Sequence, residues 1–434
     1  MEPLEIEKNI PFKSNLLTSC LYCGTSLPAT KAEHIFNSCW GGTHKTSRLI
    51  CDTCNEDYSC IDSIFAPYTQ FIMNAWQFKG ERHQEIPSIS TEEGYTIEKG
   101  GRPVINPKVD VIPLDDGRMK IKANLRSKSQ ARKLILDEKD VIEEKIGREL
   151  TEAELEEIRE EIRNSEFVTG APGILKINAQ LCFDDEYRSA AHTLIKCLAC
   201  FDPETAKSDL TKTIRDFARY SHGDWLEFAI EASSIFSFED IFNTYSHHIN
   251  SAVIYYSEFL GKIIGSLTIL GRIKRWVILA HNYTGPDRIL YVQEKVRSGG
   301  VIDRVKVNLR EKNIPLVQTE FKPPSINQLV NEFYLLAKIT MEIEAPFSNF
   351  LSSFKSAITR HTVINEYFLK EIVELYVEFL KIITNIENVE EIEQQIWESG
   401  LSDILSKFHD MEINEIKIQE ELLFFFSVLI EKFR

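Results

Sequence analysis

The chain has 434 residues, which at about 150 residues per domain predicts two to three domains. Apolar residues make up 43% and charged residues 27%, values that exclude a wholly disordered, collagen-like or disulfide-stapled chain. Acids outnumber bases by 66 to 50, a net charge of −16. That excludes a uniformly basic nucleic-acid coat but leaves room for a local basic groove.

The first residues carry acids where a signal peptide has a basic and then an apolar stretch. No run of about 18 uncharged apolar residues exists. The nearest, residues 251–280, is broken by Glu258, Lys262, Arg272, Lys274 and Arg275. These features predict a soluble, cytoplasmic protein with no membrane partner. Six of the nine cysteines lie in the first 60 residues, and in a reducing compartment such clustering points to a metal rather than to disulfides.

Taken in chain order, residues 1–75 hold the cysteine cluster and little long-period pattern. Residues 76–170 read as a polar connecting segment. Within it, Val109 to Leu125 predicts a β-hairpin turning at Asp116-Gly117, because Met119, Ile121 and Ala123 alternate with Arg118, Lys120 and Lys122. Residues 138–166 predict an acidic helical stretch, with a second helix starting at the capping-box pair Thr151 and Glu154. Gly170-Ala-Pro-Gly173 breaks that pattern and predicts a domain boundary. Residues 171–434 predict a mainly helical domain. It opens with a short strand at 174–183 and a helix at 186–201, has a strand pair at 276–281 and 288–293, and is nearly all helix from Asn327 onward. The expected fold class is α+β. No repeat, phosphate loop or dinucleotide fingerprint occurs.

The chemistry is concentrated in one block: Cys20-Leu-Tyr-Cys23, Glu33-His34-Ile35, Gly41-Gly42 and Cys51-Asp-Thr-Cys54-Asn55. Each C-x-x-C pair can form a knuckle offering two thiolates, and two knuckles complete a tetrahedral site suited to structural Zn²⁺. Closure of that site can bring Asn55 back beside Glu33 and His34. A carboxylate and an amide oxygen suit Mg²⁺ or Mn²⁺. A neutral imidazole beside them can accept a proton from water, and together they form the equipment of metal-assisted phosphodiester hydrolysis.

This block resembles the HNH endonuclease superfamily in its four-cysteine, zinc-bearing form with a ββα-metal core. The matching residues run from Cys20 and Cys23 through Glu33-His34-Ile35 and Gly41-Gly42 to Cys51 and Cys54-Asn55, with Asp62 in the following helix. The resemblance implies that 1–75 is the nuclease domain, that His34 is the general base and that Glu33 and Asn55 hold the catalytic Mg²⁺ or Mn²⁺. It also implies that Gly41-Gly42 joins the two strands. The family's middle asparagine, expected shortly before Cys51, is replaced by Thr46-Ser47-Arg48; His44 and Ser47 are the candidates to substitute.

The implied partner is DNA, with RNA not separated from it. Arg48, Arg118, Lys120 and Lys122 are the candidate phosphate contacts, the last three in a basic stretch that continues to Lys133. By association with other HNH fusions, residues 171–434 are expected to sense, oligomerise or bind a partner protein, as in restriction or phage-defence effectors. The alternative is a zinc-knuckle nucleic-acid or protein adaptor that has lost catalysis. Cys39 and Cys60 are expected as small core residues, and Cys197 with Cys200 as helix packing rather than a second metal site.

Overall fold

The computed structural model describes residues 5–8, 17–80, 85–113, 119–124, 139–164, 174–231, 249–296, 302–308, 321–361 and 363–384, with isolated positions in 127–133 and 394–408. The class is α+β. Two compact units divide the chain: residues 1–87 together with 180–434, and residues 88–179.

In the first unit, strand β1 (Glu5–Lys8) is followed by the short pair β2 (Glu33–His34) and β3 (Lys45–Thr46), then by helices α1 (Asp52–Tyr58) and α2 (Ala66–Ala75). The second unit holds β4 (Ile89–Ser90), β5 (Tyr95–Glu98) and β6 (Arg102–Ile105) as one antiparallel sheet. It also holds the hairpin β7 (Lys108–Pro113) and β8 (Met119–Asn124), and helices α3 (Lys139–Ile146) and α4 (Glu152–Asn164). The hairpin falls where the alternation places it, with Asp110 opposite Lys122 and Ile112 opposite Lys120. The capping box also forms: Thr151 N donates to Glu154 Oε2 at 2.9 Å and Glu154 N to Thr151 Oγ1 at 3.3 Å. The turn at Asp116-Gly117 and the break at Gly170–Gly173 lie outside the described residues.

The chain re-enters the first unit through α5 (Phe183–Phe201), α6 (Pro203–Lys207), α7 (Lys212–Tyr220) and α8 (Trp225–Phe228). The expected strand at 174–183 is absent: residues 174–182 are irregular and Phe183 already opens α5. Strands β9 (Ala229–Ile230), β10 (Ile249–Ser257), β11 (Lys262–Ile269), β12 (Ile273–His281), β13 (Arg288–Lys295) and β14 (Ile302–Asn308) follow. With β1 they make one antiparallel sheet in the order β1-β14-β13-β10-β11-β12-β9. The segments read as a strand pair, 276–281 and 288–293, belong to β12 and β13, which are not neighbours. Strands β10 and β11 escape the sequence reading because they are apolar on both faces. All nine residues of β10 are buried, and such a run lacks the alternation that separates strand from buried helix.

One face of the sheet, with Ala252, Ile254 and Tyr256, packs into a single core with α5 and with Trp40, Phe65 and Tyr68 of the N-terminal segment. The opposite face carries Val253, Tyr255, Trp276 and Tyr291. Helices α9 (Ile326–Ile339), α10 (Ala345–Arg360) and α11 (Glu366–Thr384) follow, with α10 and α11 sharing a separate core around Phe350, Phe368 and Tyr376. Between α9 and α10 the helix widens into a π turn, Thr340–Glu344. Its Glu344 accepts from Trp76 Nε1 at 2.8 Å and from Arg272 Nη2 at 2.6 Å, tying α2 to the sheet. Among the described residues no helix is long and apolar enough to cross a membrane.

Candidate metal centre and the Glu33–His34 strand

The first knuckle is a tight turn. Cys20 N donates to Thr25 O at 2.7 Å, Gly24 N returns to Cys20 O at 3.3 Å, and Tyr22 N points at Cys20 Sγ at 3.5 Å. Gly24 has φ +77° with open space around it, a left-handed conformation that a residue bearing Cβ adopts only at a cost. The second knuckle is the first turn of α1. Cys51 is its N-cap and Asn55 N donates to Cys51 O at 3.0 Å. Leu21 N donates to Leu49 O at 2.9 Å and brings the two knuckles side by side.

The Sγ atoms of Cys20, Cys23, Cys51 and Cys54 all lie within 4.8 Å of one another. Four sulfurs about 2.3 Å from a tetrahedral zinc stand about 3.8 Å apart, so the group fits that ion with small side-chain adjustments. A hydrogen bond from Cys54 draws the Cys20 thiol down to about 4 even against its burial. Packing further thiolates together without a cation would be repulsive, and a dication relieves that repulsion. Among the described residues this is the one cluster of histidine, cysteine and acidic side chains suited to an ion. Cys197 and Cys200 are core residues of α5, as expected, and the Cys197 thiol is raised by burial. Cys60 departs from expectation: it is exposed and its Sγ donates to Asp57 O at 3.3 Å.

Between the knuckles, β2 pairs with β3 so that Glu33 opposes Thr46 and His34 opposes Lys45. Ile35 N donates to His44 O at 2.9 Å and extends the ladder into the loop. The loop turns through the one-turn 3₁₀ segment Ser38–Trp40 and Gly41-Gly42. A Cβ on Gly42 would stand 2.1 Å from Phe36 O, so only glycine permits this approach of backbone to backbone. An asparagine does secure the loop, but it is Asn37, on the other side of the glycines. Its side chain accepts from Cys39 N at 2.8 Å, and its Nδ2 donates to Asp62 O and Asp62 Oδ1 at 3.0 and 2.8 Å. Asp62 lies in the turn between α1 and α2, not inside a helix. In chain order β2, loop, β3 and α1 follow one another, with Glu33-His34 on the first strand and Asn55 on the helix.

Glu33 is not poised as an open metal ligand. It is buried, and its Oε1 accepts from Lys196 Nζ at 2.6 Å. Lys196 Nζ also donates to His34 O at 2.7 Å, and His192 Nε2 lies 3.5 Å from the same Glu33 oxygen. Burial acts to raise the Glu33 carboxyl, but the Lys196 charge and the His192 ring outweigh it and hold the group well below the ordinary carboxylate range. The His192 ring stacks on Tyr58 at 3.7 Å, its Nδ1 shares a 2.7 Å hydrogen bond with Tyr22 OH, and burial followed by the Lys196 charge pushes it down to about 4. The carboxylate half of the expected Mg²⁺ or Mn²⁺ pair therefore does not fit such an ion: its charge is already met by an ammonium.

The C-terminal segment grips the module at further points. Buried Glu294 of β13 accepts through Oε1 from Thr43 N (2.7 Å), Thr43 Oγ1 (2.9 Å) and His44 N (2.8 Å). Asn250 of β10 donates to Trp40 O at 3.2 Å, and Arg215 of α7 donates to Leu21 O at 2.9 Å. His34, Asn55 and Arg48 are half-buried, and Arg48 N donates to Thr46 Oγ1 at 3.2 Å. Arg118 lies outside the described residues; Lys120 and Lys122 lie on β8 of the second unit. Lys196, Glu294 and Asn37 were not singled out by sequence. The signal available for Lys196 was a lysine on an otherwise apolar helix face, four residues after His192. For Glu294, more than two hundred residues from its partners, there was none. No family model, curated protein or solved structure matches the chain.

Proposed function

We propose that this chain is a zinc-stapled HNH-type endonuclease that hydrolyses DNA phosphodiester bonds. In this reading Cys20, Cys23, Cys51 and Cys54 hold a structural Zn²⁺ that clasps the strand carrying His34 to the helix carrying Asn55. His34 takes a proton from water as the oxygen adds to phosphorus and the leaving oxygen departs. Asn55 and Arg48 face the phosphate, and Glu33 seats the strand. The single observation that supports this most is that the two halves of one four-sulfur cluster bracket β2, the glycine loop and β3 in the chain, the second half being the first turn of α1. A cytoplasmic location, control by residues 171–434 and a role as a restriction or phage-defence effector belong to the same proposal.

The second reading, a zinc-knuckle adaptor without catalysis, is favoured by one observation: Lys196 occupies the Glu33 carboxylate. A plasmid nicking assay across Mg²⁺ and Mn²⁺, with wild type and His34→Ala in parallel, separates the two. The nuclease reading expects nicking by wild type and its loss in H34A. Equal cleavage by both proteins rejects it. Zinc-loaded protein that cuts under no ion supports the adaptor.

A further inference from the structure

Within 3.5 Å of Glu33 Oε1 stand two nitrogens from one helix, Lys196 Nζ and His192 Nε2, one turn apart on α5. The ammonium touches two hard oxygens at once, the Glu33 carboxylate and the His34 carbonyl. A carboxylate and a carbonyl are what a hard divalent ion seeks. Lys196 is 1% exposed and Glu33 7%, so neither exchanges its partner for bulk water. A second, divalent charge brought to that carboxylate would sit beside a buried positive charge in a low-dielectric site, which is unfavourable.

We propose that Lys196 is the resident cation of this site: it meets the charge of Glu33, clamps the His34 carbonyl and keeps divalent ions off the strand. Glu33 then holds β2 onto α5, and Lys196 is a positioning residue for His34. This deepens the nuclease reading and depends on it for the role of His34. The ion-pair geometry stands without it. The helix that supplies the cation comes from beyond the second unit, so the seating of His34 depends on a segment more than 160 residues away.

The test uses Mn²⁺ itself, added to the zinc-replete full chain and followed by the electron paramagnetic resonance of the free ion, with no DNA present. Glu33→Gln in the wild-type background is expected to leave Mn²⁺ binding unchanged. Lys196→Ala is expected to expose the two oxygens and create a Mn²⁺ site, and adding Glu33→Gln to it should weaken that site about tenfold or more. Loss of Mn²⁺ binding in E33Q alone overturns the proposal, as does a folded K196A with no Glu33-dependent gain. Should K196A fail to fold, the apolar pair E33L/K196M removes both charges together. It is expected to bind Mn²⁺ as wild type does, and a loss there overturns the proposal equally. The two readings fail separately. A wild type that never nicks DNA sinks the nuclease and leaves the Mn²⁺ result standing. A nuclease whose Mn²⁺ binding is lost in E33Q sinks the Lys196 proposal alone.

Discussion

Glu294 offers the sharpest stability test of how the sheet supports the loop. Its buried Oε1 accepts two backbone N–H groups and one hydroxyl from Thr43 and His44, while its Oε2 has no hydrogen-bond partner among the described residues. Glu294→Ala leaves two backbone donors unpaired at roughly 1–3 kcal/mol each. Both lie on half-buried residues that water can partly reach, so the expected loss is roughly 2–4 kcal/mol. Glu294→Gln keeps an acceptor but gives up the charge assistance, an expected loss of roughly 1–2 kcal/mol. Urea unfolding of zinc-replete protein reads both, provided the slope m stays constant across the series. Because Ile35 N hangs on His44 O, the loosened loop should also slow any His34-dependent cleavage. An E294A protein within about 0.5 kcal/mol of wild type, the range of an ordinary surface change, would refute the reasoning.

Other perturbations give equally definite expectations. Gly42→Ala drives Cβ to 2.1 Å from Phe36 O and should cost about 3 kcal/mol or more, whereas Gly24→Ala, left-handed but in open space, should cost about 1 kcal/mol; comparable urea midpoints for the two would contradict the loop geometry. His192 is held at about 4 against an ordinary 6.5. The unfolded chain therefore binds the extra proton first, and roughly 3 kcal/mol of stability should drain away as pH falls from 6.5 towards 4. His192→Phe should flatten that part of the profile relative to wild type, and identical pH profiles would exclude a buried neutral ring. Cys54→Ser should strip zinc during gel filtration against a competing chelator, while Cys60→Ser, outside the cluster, should retain it; equal retention would exclude the four-sulfur site.

What the sequence made legible is what local spacing encodes. The paired C-x-x-C turns, the hairpin with alternating charge, the Thr151–Glu154 cap and the apolar helix bearing Cys197 and Cys200 each declare themselves within a few residues. The large sheet did not, because β10 and β11 are buried on both faces and show no period. Nor did the surroundings of Glu33. Its spacing next to His34 reads as a ligand, and only the tertiary approach of α5 reveals an ammonium against it. The resemblance implies a loop asparagine shortly before Cys51, yet Asn37 performs the anchoring, through its bonds to Asp62 and Cys39.

The most direct measurement is zinc K-edge X-ray absorption on the purified full chain. It should find one zinc per chain with a first shell of four sulfurs at about 2.3 Å. A shell containing nitrogen or oxygen, fewer than four sulfurs, or a protein that folds fully while holding no zinc would contradict the clasp on which the seating of His34 depends.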